Sequence, residues 1–390
     1  MQTRSRVLAV VAFSVASVVV CGWCMAETRY VGALGDSLTD EYFEQDDVTP
    51  PYDYAHSWFE LMVLHGKADG GARADGSWGE PRRTGYEYNF ARYGAVTDHL
   101  PGQVTAMETL LDSLPADFGS QNHFVGSCIG ANDFFPGTTD YHDFYWFLDS
   151  LDFETQIQPT IDARMAIAED AIDAAVANDI NLVLANIPDY GIAPYTYSDW
   201  GAEYSDGEKR DNVNYVIGRV NDELAELAQR KGVPLIDIHA MTKAIFGENT
   251  DSDAMDPDVT KKIGDVPIYT HQPDVLGDSD ESTKPDAAWV HDGIHPHTTV
   301  QGVFANLFME ASNLRYGTDF ELFTEEEIVE NAGLTYGGQD TLFTELGPQY
   351  SEYRDFITVI PEPGALTLLL SGLAGVVMCG RRSVGHARRA

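Results

Sequence analysis

TRYVGALGDSL, residues 28–38, is the stretch from which the fold follows. Its first seven residues make a short apolar run of strand length, and Gly35, Asp36 and Ser37 punctuate its end as turn residues do. A serine at the carboxyl end of a buried strand is a candidate nucleophile. Taken alone, Ser37 is more often a turn or helix-capping residue, because a hydroxyl between Asp and Leu readily bonds its own backbone. Its role depends on what the remaining chain brings to the same sheet edge.

Four further runs of strand character follow, at 86–91, 123–129 (HFVGSCI), 180–186 (INLVLAN) and 233–238 (VPLIDI), each bounded by Gly, Pro or Asn. Helical patterns lie between them. Over 160–178, Ile161, Met165, Ala168, Ile172 and Val176 recur three and four residues apart and predict one apolar face. Over 211–231, Val213, Val216, Ile217, Val220, Leu224 and Leu227 do the same, and Gly232 ends the pattern as a C-cap. Strand alternating with helix predicts right-handed crossovers, and hence an α/β fold of three layers around a five-stranded parallel sheet.

Two segments break this rhythm. Residues 41–83 are rich in Tyr, Trp, Gly and Asp, and residues 247–289 are polar with Pro and Asp throughout; loops of such length are commonly lids or binding loops. Tyr42, Phe43, Tyr52, Tyr54, Trp58 and Trp78 form either a carbohydrate-stacking wall or ordinary packing over the sheet, and packing is favoured.

The two ends concern export. Residues 1–26 carry Arg4 and Arg6, an apolar stretch over 7–20 and Ala26 before Glu27, the pattern of a signal peptide. Lipidation at Cys21 or Cys24 fits less well, since bulky Val20 and Trp23 stand where a small residue belongs. At the other end Pro361, Glu362 and Pro363 precede the 17-residue apolar stretch 364–380, then Arg381, Arg382 and a basic tail to Ala390. That length is the lower limit for crossing a bilayer, and the arginines suit a cytoplasmic flank. The three-part tail, 361–390, resembles the PEP-CTERM sorting signal. The resemblance implies an exosortase-type membrane enzyme as partner, cleavage near the PEP tripeptide, and transient or permanent membrane contact through 364–380.

What remains, 27–360, is 334 residues, long but tolerable for one α/β domain with long loops. It retains one of the four cysteines, Cys128, so no disulfide forms within the mature chain. Sixty-two acidic against 24 basic residues give a net charge of −38, which disfavours nucleic acid and anionic headgroups as partners. The Asp-rich stretch 247–265 lacks the glycine and terminal glutamate of an EF-hand loop, and no metal ligand set is expected there.

In a doubly wound sheet the ligand sits beyond the carboxyl ends of the strands. Ser37 follows the first strand, Gly94 the second (NFARYGA) and Asn132 the third (GANDF), while VHDGIHPHTT places Asp292 and His295 after the fifth and before a helical pattern over 300–314. Serine is a poor nucleophile until a base takes its proton, and a histidine steadied by a carboxylate is the usual base. Asp292 lies three residues before His295, within reach of the imidazole Nδ1 in a helical turn. His291 and His297 are alternative bases without that carboxylate. The Ser37 and Gly94 backbone N–H groups and the Asn132 amide can serve as oxyanion donors.

These blocks, GDSLTD, ARYGA, GANDF and DGIHP, resemble those of the SGNH hydrolases, the GDSL esterase and lipase family, over about 28–314. The resemblance implies a flavodoxin-like three-layer fold and metal-independent ester hydrolysis without a cofactor. It also implies a Ser37–His295–Asp292 triad with Ser37, Gly94 and Asn132 as the oxyanion hole. The GxSxG elbow of α/β-hydrolases is absent. The expected substrates are acyl or acetyl esters of lipids or polysaccharides, at the cell surface or outside the cell. A non-catalytic carbohydrate-binding surface or matrix protein of the same fold is the alternative. Residues 315–360 form an extension without an assigned role, in which Thr324 and Glu327 spell a capping box.

Overall fold

The computed structural model describes residues 28–42, 54–74, 84–112, 123–135, 138–148, 151–196, 206–247, 258–274 and 284–359. The leader 1–26 and the tail 361–390, with its apolar stretch 364–380, lie outside these residues. Among the described residues, no helix is long and apolar enough to cross a membrane.

The opening run forms β1 (Tyr30–Gly35). A capping box between Ser57 and Glu60 starts α1 (Trp58–Leu64), and a two-stranded ribbon of β2 (Arg73–Ala74) and β3 (Gly85–Tyr86) follows. Next come α2 (Leu100–Leu111), β4 (His123–Cys128), α3 (Thr139–Phe147), α4 (Gln158–Ala177), β5 (Leu182–Ala185), α5 (Gly207–Lys231) and β6 (Leu235–Ile236). The chain continues through α6 (Ile238–Phe246), β7 (Thr260–Ile263), β8 (Val266–Pro273) and β9 (Ala287–Trp289). It closes with α7 (Thr298–Tyr316), α8 (Glu325–Asn331), α9 (Leu342–Leu346) and β10 (Ile357–Thr358).

The central sheet has the order β1-β4-β5-β6-β10. Side chains alternate across it, as the pleat requires. Leu34, Val125, Leu182, Leu184 and Leu235 face a core completed by α2, α4 and α5, through Val104, Met107, Ile172, Leu224 and Leu227. Val31, Ala33, Phe124, Val183 and Ile236 face a larger core that holds Trp58 and Phe59 of α1 and Phe304 and Phe308 of α7. Helices therefore cover both faces, in the three layers expected of an α/β SGNH hydrolase fold. Trp58 anchors the larger core, its ring stacked on Phe308 at 4.1 Å between centroids.

Five strands are present, but the sheet is mixed. The first four run parallel and β10 pairs antiparallel with β6, Ile357 opposite Ile236. The expected strand at 86–91 is not among them. Its residues follow β1 closely, with Ala33 N–H donating to Tyr88 O at 2.9 Å and Phe90 N–H to Ala33 O at 2.8 Å. Only an isolated bridge forms, Ala33 opposite Asn89, because the Gly35 N–H that would continue a ladder donates to Gln103 Oε1 instead, at 2.7 Å.

Two smaller expectations also change. Val176 is exposed, because Ala171 and Ala175 supply that part of the buried face of α4. Residues 247–289 are not all loop: β7 and β8 form a hairpin turned at Gly264 and Asp265, both at positive φ, and β9 joins β8 in parallel. Tyr42 and Trp58 are buried packing residues and Tyr54 is half-buried, whereas Phe43, Tyr52 and Trp78 lie outside the described residues. The Asp-rich stretch falls mostly outside them too. Among the described residues, no group of potential metal ligands converges.

The extension is part of the core. Phe320, Phe323, Ile328, Val329, Leu342 and Phe356 belong to the same buried cluster as Trp58 and Phe308, and the capping box at Thr324 and Glu327 forms as expected. Glu325, nearly buried, accepts the N–H groups of Gly264, Thr341 and Leu342 and so ties the β7–β8 hairpin to α9. Phe356 is 2% exposed and stacks on Tyr350 at 4.1 Å. Phe356→Ala is therefore expected to cost about 3–5 kcal/mol of folding stability, as read by chemical denaturation; an appendage would lose almost nothing.

Candidate active site

Ser37 lies in the turn that closes β1. Asp36 N–H extends the β1–β4 pairing by donating to Cys128 O at 2.9 Å, and the Thr39 and Asp40 N–H groups return to Asp36 O at 3.1 and 3.0 Å. The chain can turn so tightly only at a glycine. Gly35 has φ +124°, and a Cβ there would stand 2.0 Å from the Cys128 carbonyl oxygen. Gln103 of α2 grips the same residue from the side, accepting Gly35 N–H at 2.7 Å and donating to Gly35 O at 2.8 Å.

Asp36 is fully buried and its Oδ1 accepts the Leu38 N–H at 3.0 Å. Burial pushes its carboxyl up to about 7, against the Leu38 N–H and the nearby His295, which both favour the charged form.

The histidine and its carboxylate come from a different sheet. Asp292 and His295 do not follow a strand of the central sheet; they occupy a loop leaving β9, closed by Val290 N–H to His295 O and His297 N–H to Ala288 O, at 2.9 and 2.8 Å. Within it, Asp292 Oδ1 accepts the N–H groups of Ile294 and His295, and Oδ2 hydrogen-bonds His295 Nδ1. Burial works against ionisation of Asp292, but His295 and these two N–H groups outweigh it and hold the carboxyl below its ordinary value. With Nδ1 facing a carboxylate, the proton resides there and Nε2 is the acceptor. The Ser37 hydroxyl donates to that Nε2 at 2.6 Å across 258 residues of sequence.

The alternative histidines fall away on geometry. His297 is buried and its Nδ1 accepts the Thr298 N–H at 2.8 Å, which leaves its proton on Nε2, 3.5 Å from Asp274 Oδ2. It has no lone pair for a substrate proton. His291 is exposed, and its N–H donates to Tyr54 Oη at 2.9 Å.

Ser37, Gly94, Asn132 and His295 line one pocket of about 330 Å³, together with Tyr93, Val96 and Phe135. Gly94 has φ +71° and a Cβ there would meet nothing within 4 Å, so a left-handed turn exposes its backbone to the pocket. Asn132 spends one amide hydrogen on Ala95 O at 3.0 Å and keeps the other. Asp133 holds these two segments together: its Oδ2 accepts both the N–H and hydroxyl of Thr97, at 2.9 and 2.8 Å, and its Oδ1 accepts Arg164 Nε at 3.1 Å.

All five residues expected from sequence thus meet. Their supports were not visible there. Tyr42 Oη donates to Pro296 O at 2.8 Å and accepts Gln301 Nε2 at 2.6 Å, while Gln301 also donates to Leu38 O at 3.3 Å and accepts Trp58 N–H at 3.0 Å. No local pattern marks either residue, because their partners are up to 263 residues away.

Asp36 makes stability depend on pH. Its folded carboxyl titrates near 7 and its unfolded one near 3.8, so the contribution is fully present below about pH 4 and is lost as pH rises through about 7. Relative to Asp36→Asn, the wild type should lose a few kcal/mol between these limits, at roughly 1.4 kcal/mol per unit. Urea midpoints of both proteins, compared below and above this window, test the sign; equal pH profiles would contradict it.

Comparison with known proteins follows the same lines. The family model described as GDSL-like Lipase/Acylhydrolase matches residues 31–308. No curated protein matches the chain. Among solved structures, a Bacteroides fragilis protein assigned as an acylhydrolase is similar at 14% identity and a TM-score of 0.35, over 74% of this chain and 88% of its own. A Parabacteroides merdae protein assigned as a GDSL-like lipase is similar at 13% identity and a TM-score of 0.36, over 74% and 97%. An extracellular lipase of Streptomyces rimosus is similar at 20% identity and a TM-score of 0.30, over 57% and 85%. With its family model matched from β1 to α7, the chain belongs to the GDSL-like lipase and acylhydrolase family.

Proposed function

We propose that this protein is a serine ester hydrolase that works through a covalent acyl-enzyme on Ser37. The observation that carries this reading is the contact of Ser37 Oγ with His295 Nε2 at 2.6 Å, backed by Asp292 on Nδ1. A carbohydrate-binding module has no need of that alignment. As Oγ attacks the ester carbonyl carbon, Nε2 takes the hydroxyl proton and Asp292 steadies the imidazolium. The N–H groups of Ser37 and Gly94 and the remaining Asn132 amide hydrogen receive the oxyanion. Collapse of the tetrahedral intermediate expels the alcohol, which takes the proton from Nε2. Water, deprotonated by the same nitrogen, then releases the acid and restores Ser37.

The substrates we propose are acyl or acetyl esters of lipids or polysaccharides, met in the cell envelope or outside the cell. The export signal pattern of 1–26 and the sorting-signal pattern of 361–390 support that location, with an exosortase-type enzyme acting on the tail.

Purified protein is expected to hydrolyse p-nitrophenyl acetate and to be labelled by a fluorophosphonate at Ser37. Ser37→Ala should abolish labelling and lower kcat on the order of 10⁶-fold. Asn132→Ala should keep the label and lower kcat by about 10²–10³-fold. Labelling or turnover that survives loss of the Ser37 hydroxyl would show that the nucleophile lies elsewhere.

A further inference from the structure

The pocket at Ser37 holds a second kind of information, the length of the acyl group. Leu38 and Ile294 line it, and both also line a separate, largely enclosed cavity of about 20 Å³ on their other side. That cavity is bounded by Pro188, Ala193, Trp289, Pro296 and Phe304. Its polar members, Asp189 and Thr242, are engaged with backbone: Asp189 Oδ1 accepts Gly191 N–H at 2.8 Å and Thr242 Oγ1 donates to Ile238 O at 2.9 Å. Two apolar side chains therefore separate the reacting pocket from an apolar space behind it.

Both partition residues are held firmly. Leu38 is 7% and Ile294 8% exposed, and each hangs from a backbone N–H bonded to a carboxylate of the site, Asp36 for Leu38 and Asp292 for Ile294. These bonds fix the two backbones, and the burial of both side chains leaves them little room to swing aside. The pocket itself, at about 330 Å³, is at the small end for ligand sites and must hold parts of both acyl group and alcohol. Among the described residues, no carboxylate, lysine or arginine lines it, so a charged acyl group would find no partner there.

Resting on the ester-hydrolase reading above, the geometry points to Leu38 and Ile294 as the residues that set acyl length. They make the site favour short, uncharged acyl groups over long ones. Ile294→Ala removes three carbons from the partition and joins the two spaces into one apolar slot. In an apolar pocket, each methylene gained or lost changes kcat/KM by about tenfold or more.

The test is kcat/KM of the full chain on p-nitrophenyl acetate, butyrate and octanoate. The wild type should favour acetate or butyrate over octanoate by about tenfold or more, and Ile294→Ala should raise the octanoate-to-butyrate ratio by about tenfold. Ile294→Val, which removes one methylene, and Leu38→Ala, which opens the wall from the other segment, should shift the ratio the same way. They answer the question if Ile294→Ala does not fold. A wild type that favours octanoate, or a ratio that no folded variant moves, overturns the assignment while leaving the esterase intact. No turnover of any ester and no fluorophosphonate labelling of the wild type overturns the ester-hydrolase reading and this inference together.

Discussion

The side-chain amide of Gln301 joins the two halves of the site. One Nε2 bond reaches Leu38 O, next to Ser37, and another reaches Tyr42 Oη, whose proton is given to Pro296 O, next to His295. Tyr42 and Gln301 are fully buried, so each lost bond would strand a polar atom away from water, at about 1–3 kcal/mol. The cost of breaking the network is what keeps Ser37 and His295 in contact. Gln301 stands on the first turn of α7, whose inner face packs Phe304 and Phe308 into the larger core. The position of a reacting hydrogen bond is thereby tied to the packing of a helix.

Electrostatics within the site run against the surface. A chain of charge −38 crowds carboxylates, yet the two nearest the chemistry are driven apart by their surroundings. Asp292 accepts two backbone N–H groups and faces His295, so it stays ionised and orients the imidazole. Asp36 is buried with less compensation and holds its proton to about pH 7. Two carboxyls beside one histidine therefore perform different work: one carries charge, the other shapes the turn through Oδ1 and Leu38 N–H.

The parts legible from sequence were those with a local signal. Turn glycines and strand-length apolar runs located β1, β4, β5 and β6, and apolar spacing located α4 and α5. Ser37 and Asn132 were legible because each sits in a short polar block at the end of such a run. What was hidden depends on distant partners. Gln103, 68 residues from Gly35, takes the N–H that would extend a ladder to the run at 86–91, and the fifth strand is only two residues long, defined by Ile236 opposite Ile357. Asp292 and His295 follow no strand of the central sheet; the small β7–β8–β9 sheet presents them, through strands that short apolar runs do not mark.

That small sheet explains why the extension is needed. The loop that carries Asp292 and His295 leaves a sheet of three short strands, which is fixed to the core from two sides. Glu325 of α8 bonds the turn of the β7–β8 hairpin at Gly264 N–H, at 2.6 Å, and Lys261 Nζ donates to Glu345 O of α9 at 2.7 Å. On the other side, Trp289 Nε1 donates to Thr270 O while its ring packs on Phe246 of α6 at 4.5 Å. Residues 315–360 thus complete the central sheet through β10 and brace the sheet that carries the base. The 2.6 Å contact between Ser37 and His295 therefore rests on α7 on one side and, through the β7–β8–β9 sheet, on the extension on the other.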